Sequence, residues 1–249
     1  MSIIKRYFIE LAFKGSKYHG WQKQINAVTV QEVLDNALKV LLKQDIETTG
    51  CGRTDSGVHA IQLYAHFDLE ATDLDETKFL KSINCMLPYD ITVKRIISVN
   101  PEAHARFDAV KRSYQYHVHF KKDPFRYDFS WLLRDIPNIE KMNRGAALIM
   151  EYRDFSCFSK SNTQTFTNNC LITRAEWENT DSGLVFHISA NRFLRNMVRA
   201  IVGTLMNVGN NEIDLEDLKL ILESKDRSKA GASVPACGLY LTEVVYPYI

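Results

Sequence analysis

Between Gly50 and Ala60 the chain reads Gly-Cys-Gly-Arg-Thr-Asp-Ser-Gly-Val-His-Ala, with three glycines around one guanidinium and one carboxylate. Glycine allows positive φ and close approach of another backbone, so this is a tightly shaped loop that lifts Asp55 beside Arg53. A carboxylate and a cation displayed together make a candidate site. The same residues also make an ordinary turn, because Asp-Ser-Gly is common turn chemistry and Thr or Asp caps helices. A second group is Arg192, Arg195 and Arg199, spaced i, i+3 and i+7 as one stripe of a helix expected over 193–208. Arginines near a helix start oppose the macrodipole, which makes better sense if an anion or carboxylate faces them; a solvated face is the alternative. A third group interleaves cations with aromatics: Arg106-Phe107, Lys111-Arg112, then Tyr114 and Tyr116. Single-stranded RNA is recognised by that combination, arginine for phosphate and a ring face for an unstacked base, while two tyrosines on one strand face also serve as plain core.

Other chemistries lack their residues. His117 and His119 share a strand face, but no third ligand has suitable spacing, so no metal site is expected. There is no Gly-x-x-x-x-Gly-Lys-Ser/Thr, no Gly-x-Gly-x-x-Gly and no Gly-x-Ser-x-Gly, which leaves nucleotide cofactors and a serine-nucleophile elbow without support.

The elements that must carry these groups follow from periodicity. Tyr7, Ile9, Leu11 and Phe13 alternate as a strand ending at Lys14-Gly15, followed by a polar loop with the aromatic pair Tyr18 and Trp21. Thr29-Val-Gln-Glu32 has the capping-box pattern and opens a helix carrying Val33, Leu34, Ala37, Leu38, Leu41 and Leu42. A short strand over 46–49 leads into the glycine loop, and a half-buried strand over 62–69 leaves it. A helix over 76–87 and a β-branched strand over 91–99 complete the first hundred residues. The second half has a similar pattern: strand over 114–120, helix over 139–150, strands over 171–177 and 184–190, the arginine helix, a helix over 215–222 with Asp214 as N-cap, and a final strand over 238–245. Mixed in this way, the elements predict an α+β fold with helices on a mainly antiparallel sheet, divided into 1–104 and 105–249.

With 249 residues, 45% hydrophobic and 24% charged, the chain can bury a sizeable core, and a net charge of +1 gives no global attraction to polyanions. Any nucleic-acid surface must come from local clusters such as Lys121-Lys122 with Arg126, or Lys225, Arg227 and Lys229; acid gathers over 68–76 and 212–223. Five scattered cysteines without a Cys-x-x-Cys argue for a reducing compartment. With no signal-peptide core and no membrane-length apolar run, a soluble cytoplasmic protein is expected.

Taken in order, Gly52-Arg-Thr-Asp-Ser-Gly-Val-His59, Ala105-Arg-Phe107, Lys111-Arg-Ser-Tyr-Gln-Tyr116, Asp154-Phe-Ser-Cys-Phe158, Asn191-Arg-Phe193, Met197-Val-Arg-Ala-Ile-Val-Gly203, Lys225-Asp-Arg227 and Gly238-Leu-Tyr-Leu241 with Tyr246-Pro247 resemble the tRNA pseudouridine synthase A family across nearly the whole chain. The resemblance implies two related ferredoxin/RRM-like halves forming one extended sheet with a central RNA-binding cleft, and a homodimer whose chains share one tRNA. It implies isomerisation of uridine at anticodon stem-loop positions 38, 39 and 40, without a cofactor. By the same resemblance Asp55 is the catalytic carboxylate, Arg199 its ion-pair partner, Tyr114 the residue stacked on the target uracil, and Leu239 a packing contact to the base. Arg53 would hold the flipped nucleotide or fill its space, and Arg106 would contact RNA. Arg192 and Arg195 stay divided between RNA contact and surface.

Competing readings are a non-catalytic RNA binder of the same fold, a synthase acting on another RNA, and a glycoside or nucleoside hydrolase. The hydrolase needs two carboxylates, and the motif carries one.

Overall fold

The alternating stretch read from Tyr7 to Phe13 forms a strand of ten residues, β1 (Ile4–Phe13), with Phe8, Ile9 and Leu11 fully buried. The computed structural model describes residues 4–70, 74–159 and 166–249, so Asp73 of the acidic cluster lies outside the described residues. The chain divides into two compact units, Met1–Val110 with Leu241–Ile249, and Lys111–Tyr240.

In the first unit β1 pairs antiparallel with β3 (His59–Glu70) and β4 (Ile91–Val99), setting Ile9 opposite Ala65 and Ile96. Between β1 and β3 lies α1 (Val30–Leu42), whose N-cap Thr29 accepts from the Glu32 amide at 3.3 Å. The helix stops at Lys43, which takes a left-handed conformation. The strand expected over 46–49 shrinks to β2 (Thr49–Gly50) on β3. Side chains of α1 occupy the backbone upstream: Asp35 Oδ1 accepts from both N–H and Oγ1 of Thr48 at 3.1 and 2.7 Å, and Gln31 Nε2 donates to the Thr48 carbonyl at 2.6 Å. Groups held this way are not available to a ladder. Helix α2 (Glu76–Met86) follows, capped by Asp75.

In the second unit β5 (Lys111–His119) pairs antiparallel with β8 (Gly183–Ala190), and β8 with β7 (Ile172–Thr180). A short strand, β6 (Trp131–Leu132), runs parallel to β5. Three helices accompany this sheet: α3 (Ile139–Met150), α4 (Met197–Gly209) and α5 (Leu215–Ser224). Asp214 and Asp217 form a complete capping box at the start of α5, with bonds of 2.9 and 3.1 Å. The last strand is β9 (Leu239–Val245).

The two units share one device. In the first, Asn84 of α2 donates to the Val93 carbonyl and accepts from the Val93 amide, both at 2.8 Å. In the second, Asn143 of α3 does the same with Trp177 at 3.0 and 2.7 Å. In each, one asparagine amide satisfies a strand's N–H and C=O and locks a helix onto its sheet.

The arginine helix departs from expectation. It begins at Met197, so only Arg199 lies on it; Arg192 and Arg195 belong to the approach segment. Asn196 at the boundary is left-handed, with φ +66°, and its side chain bonds Ser233. A left-handed residue cannot continue a right-handed helix, so the i, i+3, i+7 stripe is broken. Helix α4 is buried nearly all round, from Met197 through Ala200, Ile201, Val202 and Leu205 to Val208. A helix so enclosed is a core element rather than a surface one.

Candidate active site

Asp55 sits half-buried at the start of a turn in which the Val58 amide donates to the Asp55 carbonyl at 3.1 Å. Gly57, within the turn, has φ +80°. Arg53 on the same loop is exposed. What fixes the loop is the polar segment after β1. The Gly57 amide and the Ser56 hydroxyl donate to the Tyr18 carbonyl at 3.2 and 3.3 Å. Tyr18 in turn donates its hydroxyl to Asp90 at 2.6 Å; burial, then this bond, raises its pKa. Gly20, with φ +86°, lies so close that an added Cβ would stand 2.2 Å from the Thr54 carbonyl oxygen and 3.2 Å from the Asp55 carbonyl carbon. Behind the loop, His59 is buried and accepts the Gly15 amide on Nδ1 at 3.0 Å, while the Cys51 amide reaches the Tyr64 carbonyl at 2.7 Å. A carboxylate on a turn bonded at both ends and packed from a third side is held in position, as catalysis requires. Sequence reasoning missed Gly15, Tyr18 and Gly20 as parts of this assembly. The signal was there in the Gly-Ser-Lys-Tyr-His-Gly spacing, read only as a loop with an aromatic pair.

The second unit carries Tyr114, Arg192, Arg195, Arg199 and Leu239. Tyr114 on β5 is half-buried, and its ring meets Phe193 edge-on, centroids 5.1 Å apart. Its neighbour two residues on has the other fate: Tyr116 is fully buried and donates to the Pro235 carbonyl at 2.8 Å. Arg192 is half-buried and Arg195 exposed. Arg199 on α4 is half-buried, with Nε donating to the Val234 carbonyl at 2.7 Å while the Val234 amide returns to the Arg199 carbonyl at 3.3 Å. Residues 230–235 are bound to α4 along their length. The Gly231 amide donates to Thr204 Oγ1 at 2.9 Å, and Arg227 donates to the Gly231 carbonyl and Ser233 Oγ at 3.1 and 3.0 Å. At Gly203 an added Cβ would stand 1.9 Å from the Ala232 carbonyl oxygen. Thus Arg227 and the glycine ending the α4 motif act together to seat the strap that contacts Arg199. Leu239 opens β9 and is 5% exposed.

Arg106 belongs to the first unit, in an exposed turn with its guanidinium over the Phe107 ring. Tyr246 of the last motif donates to the Ala105 carbonyl at 2.6 Å, which ties the chain's end to this turn. A carboxylate that sequence reasoning passed over is Glu10, 6% exposed, accepting from Tyr64 Oη at 2.8 Å and Gln62 at 3.2 Å, with Arg95 3.6 Å away. Its place inside a strand's alternation hid it. Among the described residues no cluster of three or more His, Cys, Asp or Glu is arranged to hold a metal, and no helix is long and apolar enough to cross a membrane.

Comparison with known proteins agrees with this arrangement of motifs. The family model described as tRNA pseudouridine synthase matches residues 152–247. Over 245 residues the chain is 46% identical to tRNA pseudouridine synthase A of Bacteroides fragilis, covering 98% of this chain and 97% of that one. The protein of the same name from Bacteroides thetaiotaomicron is 47% identical over 247 residues, covering 98% and 91%. That of Treponema denticola is 37% identical over 250 residues, covering 98% and 93%. Identity at this level over essentially the full length extends well past the short motifs, and the chain belongs to the tRNA pseudouridine synthase A family.

Proposed function

We propose that the protein isomerises uridine to pseudouridine in tRNA, with Asp55 as the catalytic carboxylate. The observation that carries this reading is the Asp55 turn, clamped by Tyr18 and Gly20 within a chain of this family. The reaction breaks the N1–C1′ bond, turns the uracil and joins C5 to C1′; the C5 proton is lost and N1 regains one. Atoms are rearranged without net oxidation, so the protein must supply a carboxylate, a grip on the base and a grip on the phosphates. An ionised Asp55 serves as nucleophile or base. Tyr114 stacks on the reacting uracil and Leu239 gives it an apolar wall. Arg199 is the ion-pair partner of that carboxylate, and the 230–235 strap orients it through Val234. Arg53 holds the flipped nucleotide or the space it leaves, where extrusion costs a few kcal/mol. Arg106, Arg192 and Arg195 contact the RNA backbone. The reacting uridines are those at positions 38, 39 and 40 of the anticodon stem-loop, and two chains in the cytoplasm share one tRNA.

The test is to incubate an unmodified tRNA transcript bearing uridines at positions 38–40 with the purified protein and map pseudouridine by carbodiimide-dependent reverse-transcription stops. Stops at those positions are expected. Stops confined to another region, or to another RNA, would overturn the choice of site; none on any tRNA would favour the non-catalytic RNA binder.

A further inference from the structure

Within the first unit a ladder of rings climbs from the core to the surface. Phe8, fully buried, stacks on His66 (centroids 6.0 Å), His66 meets His104 edge-on at 4.7 Å, and His104 lies 4.3 Å from Phe107. Phe107 at the top is 72% exposed, with the Arg106 guanidinium carbon 5.5 Å from its centroid. The turn that presents this pair is clasped by imidazoles used as acceptors. His66 Nδ1 takes the Ala105 amide at 3.2 Å, and His104 Nδ1 takes the amides of Arg106 and Phe107 at 3.1 and 3.4 Å. Asp108 Oδ2 closes the turn, accepting the His104 amide and the Tyr248 hydroxyl, each at 2.7 Å. Arg6, doubly bonded to Asp68, holds the Ala103 carbonyl at 3.0 Å. So much fixed structure beneath one exposed ring is unnecessary for a surface turn, and it removes the ordering cost of a binding aromatic in advance.

We propose that Phe107 is a base-stacking platform for an unstacked nucleotide of the tRNA, with His66 and His104 as its positioning residues. The occupant follows from the pairing of a largely exposed ring with a guanidinium held over it, which suits a base and its phosphate. The proposal rests on the reading of the protein as acting on tRNA, and it adds a contact that none of the family motifs' assigned roles includes.

Four full-length variants test it, by filter binding of the unmodified transcript and by release of tritium from C5-labelled uridine. Phe107→Ala should raise KM and the dissociation constant about tenfold, within the range of one lost stack, with kcat unchanged. Phe107→Trp should restore both and show new emission that tRNA quenches over its binding range. His104→Leu, which removes the acceptor, should behave like Phe107→Ala, and His104→Asn, which keeps an acceptor, should recover. Wild-type affinity and KM in Phe107→Ala, or unquenched Phe107→Trp emission with tRNA bound, would overturn the platform while leaving the isomerase reading standing. Loss of self-association in Phe107→Ala with RNA affinity intact would assign the ring to a protein contact and overturn it too. If the wild type releases no tritium, the isomerase reading fails, and the binding arms still decide the platform.

Discussion

Gly20→Ala changes a residue far from Asp55 in sequence, yet it should disable the site. The added Cβ would stand 2.2 Å from the Thr54 carbonyl oxygen, and ordinary contact begins near 3.4 Å, so the 54–55 backbone or the Gly20 segment must yield by about 1 Å. Backbone is on both sides of this overlap, and no flexible side-chain end is there to swing away. Residue 20 also has φ +86°, a left-handed conformation that costs an L-residue roughly 1–2 kcal/mol. A misplacement of about 1 Å at a catalytic group lowers turnover by roughly a hundredfold. The expected result is therefore a fall in kcat of about two orders of magnitude in tritium release from C5-labelled tRNA, with transcript affinity nearly kept and melting lowered by a few degrees. Gly52→Ala is the stability comparison in the same loop: among the described residues, its chain neighbours aside, no heavy atom lies within 4 Å of its added Cβ, so it should melt with the wild type. Full turnover in Gly20→Ala, or a melting loss as large in Gly52→Ala, would refute the idea that Gly20 holds Asp55 in place.

Gly203→Ala should destabilise by about 2–3 kcal/mol in urea denaturation, because its Cβ meets the Ala232 carbonyl at 1.9 Å, and should lower kcat through displacement of the strap against Arg199; an unchanged midpoint would contradict the docking described. Burial raises the Asp35 carboxyl from 3.8 to about 6, outweighing its bonds from Thr48. Its contribution to stability is then complete below pH 3.8 and lost as pH rises through 6. Asp35→Asn, which keeps an oxygen for Thr48, should gain up to about 3 kcal/mol at pH 7 and nothing near pH 3.5; lower stability at pH 7 would refute this. His66 has the opposite pH dependence. Burial first, then Arg6 and His104, depress its pKa from 6.5 to about 4 against the smaller pull of Asp68 and Asp108. Stability is present above pH 6.5 and lost as pH falls toward 4, by at most about 3 kcal/mol, so His66→Asn should flatten the acid side of the melting profile. An unaltered profile would count against the clasp.

Local chemistry was readable from the residues. The apolar spacing placed α3 where it stands, the Asp214 cap placed the start of α5, and the β-branched run placed β4. The glycine loop was legible because its chemistry lies in consecutive residues. What supports that loop was not, because Gly20 matters through its nearness to Thr54, and no spacing along the chain encodes a tertiary approach. Arg192 and Arg195 were misplaced for the same reason. A helical spacing survives in sequence even where Asn196, drawn toward Ser233, ends the helix early. The two tyrosines of Lys111–Tyr116 looked equivalent, and only packing distinguishes the buried Tyr116 from the half-exposed Tyr114.

In the proposed reaction the Asp55 carboxylate performs the isomerisation. The most direct measurement compares the wild type with Asp55→Asn on a tRNA transcript tritiated at uracil C5, following tritium release and transcript binding in the same samples. Steady release by the wild type and none by Asp55→Asn, with binding nearly equal, is expected. Release by Asp55→Asn within tenfold of the wild type would contradict it.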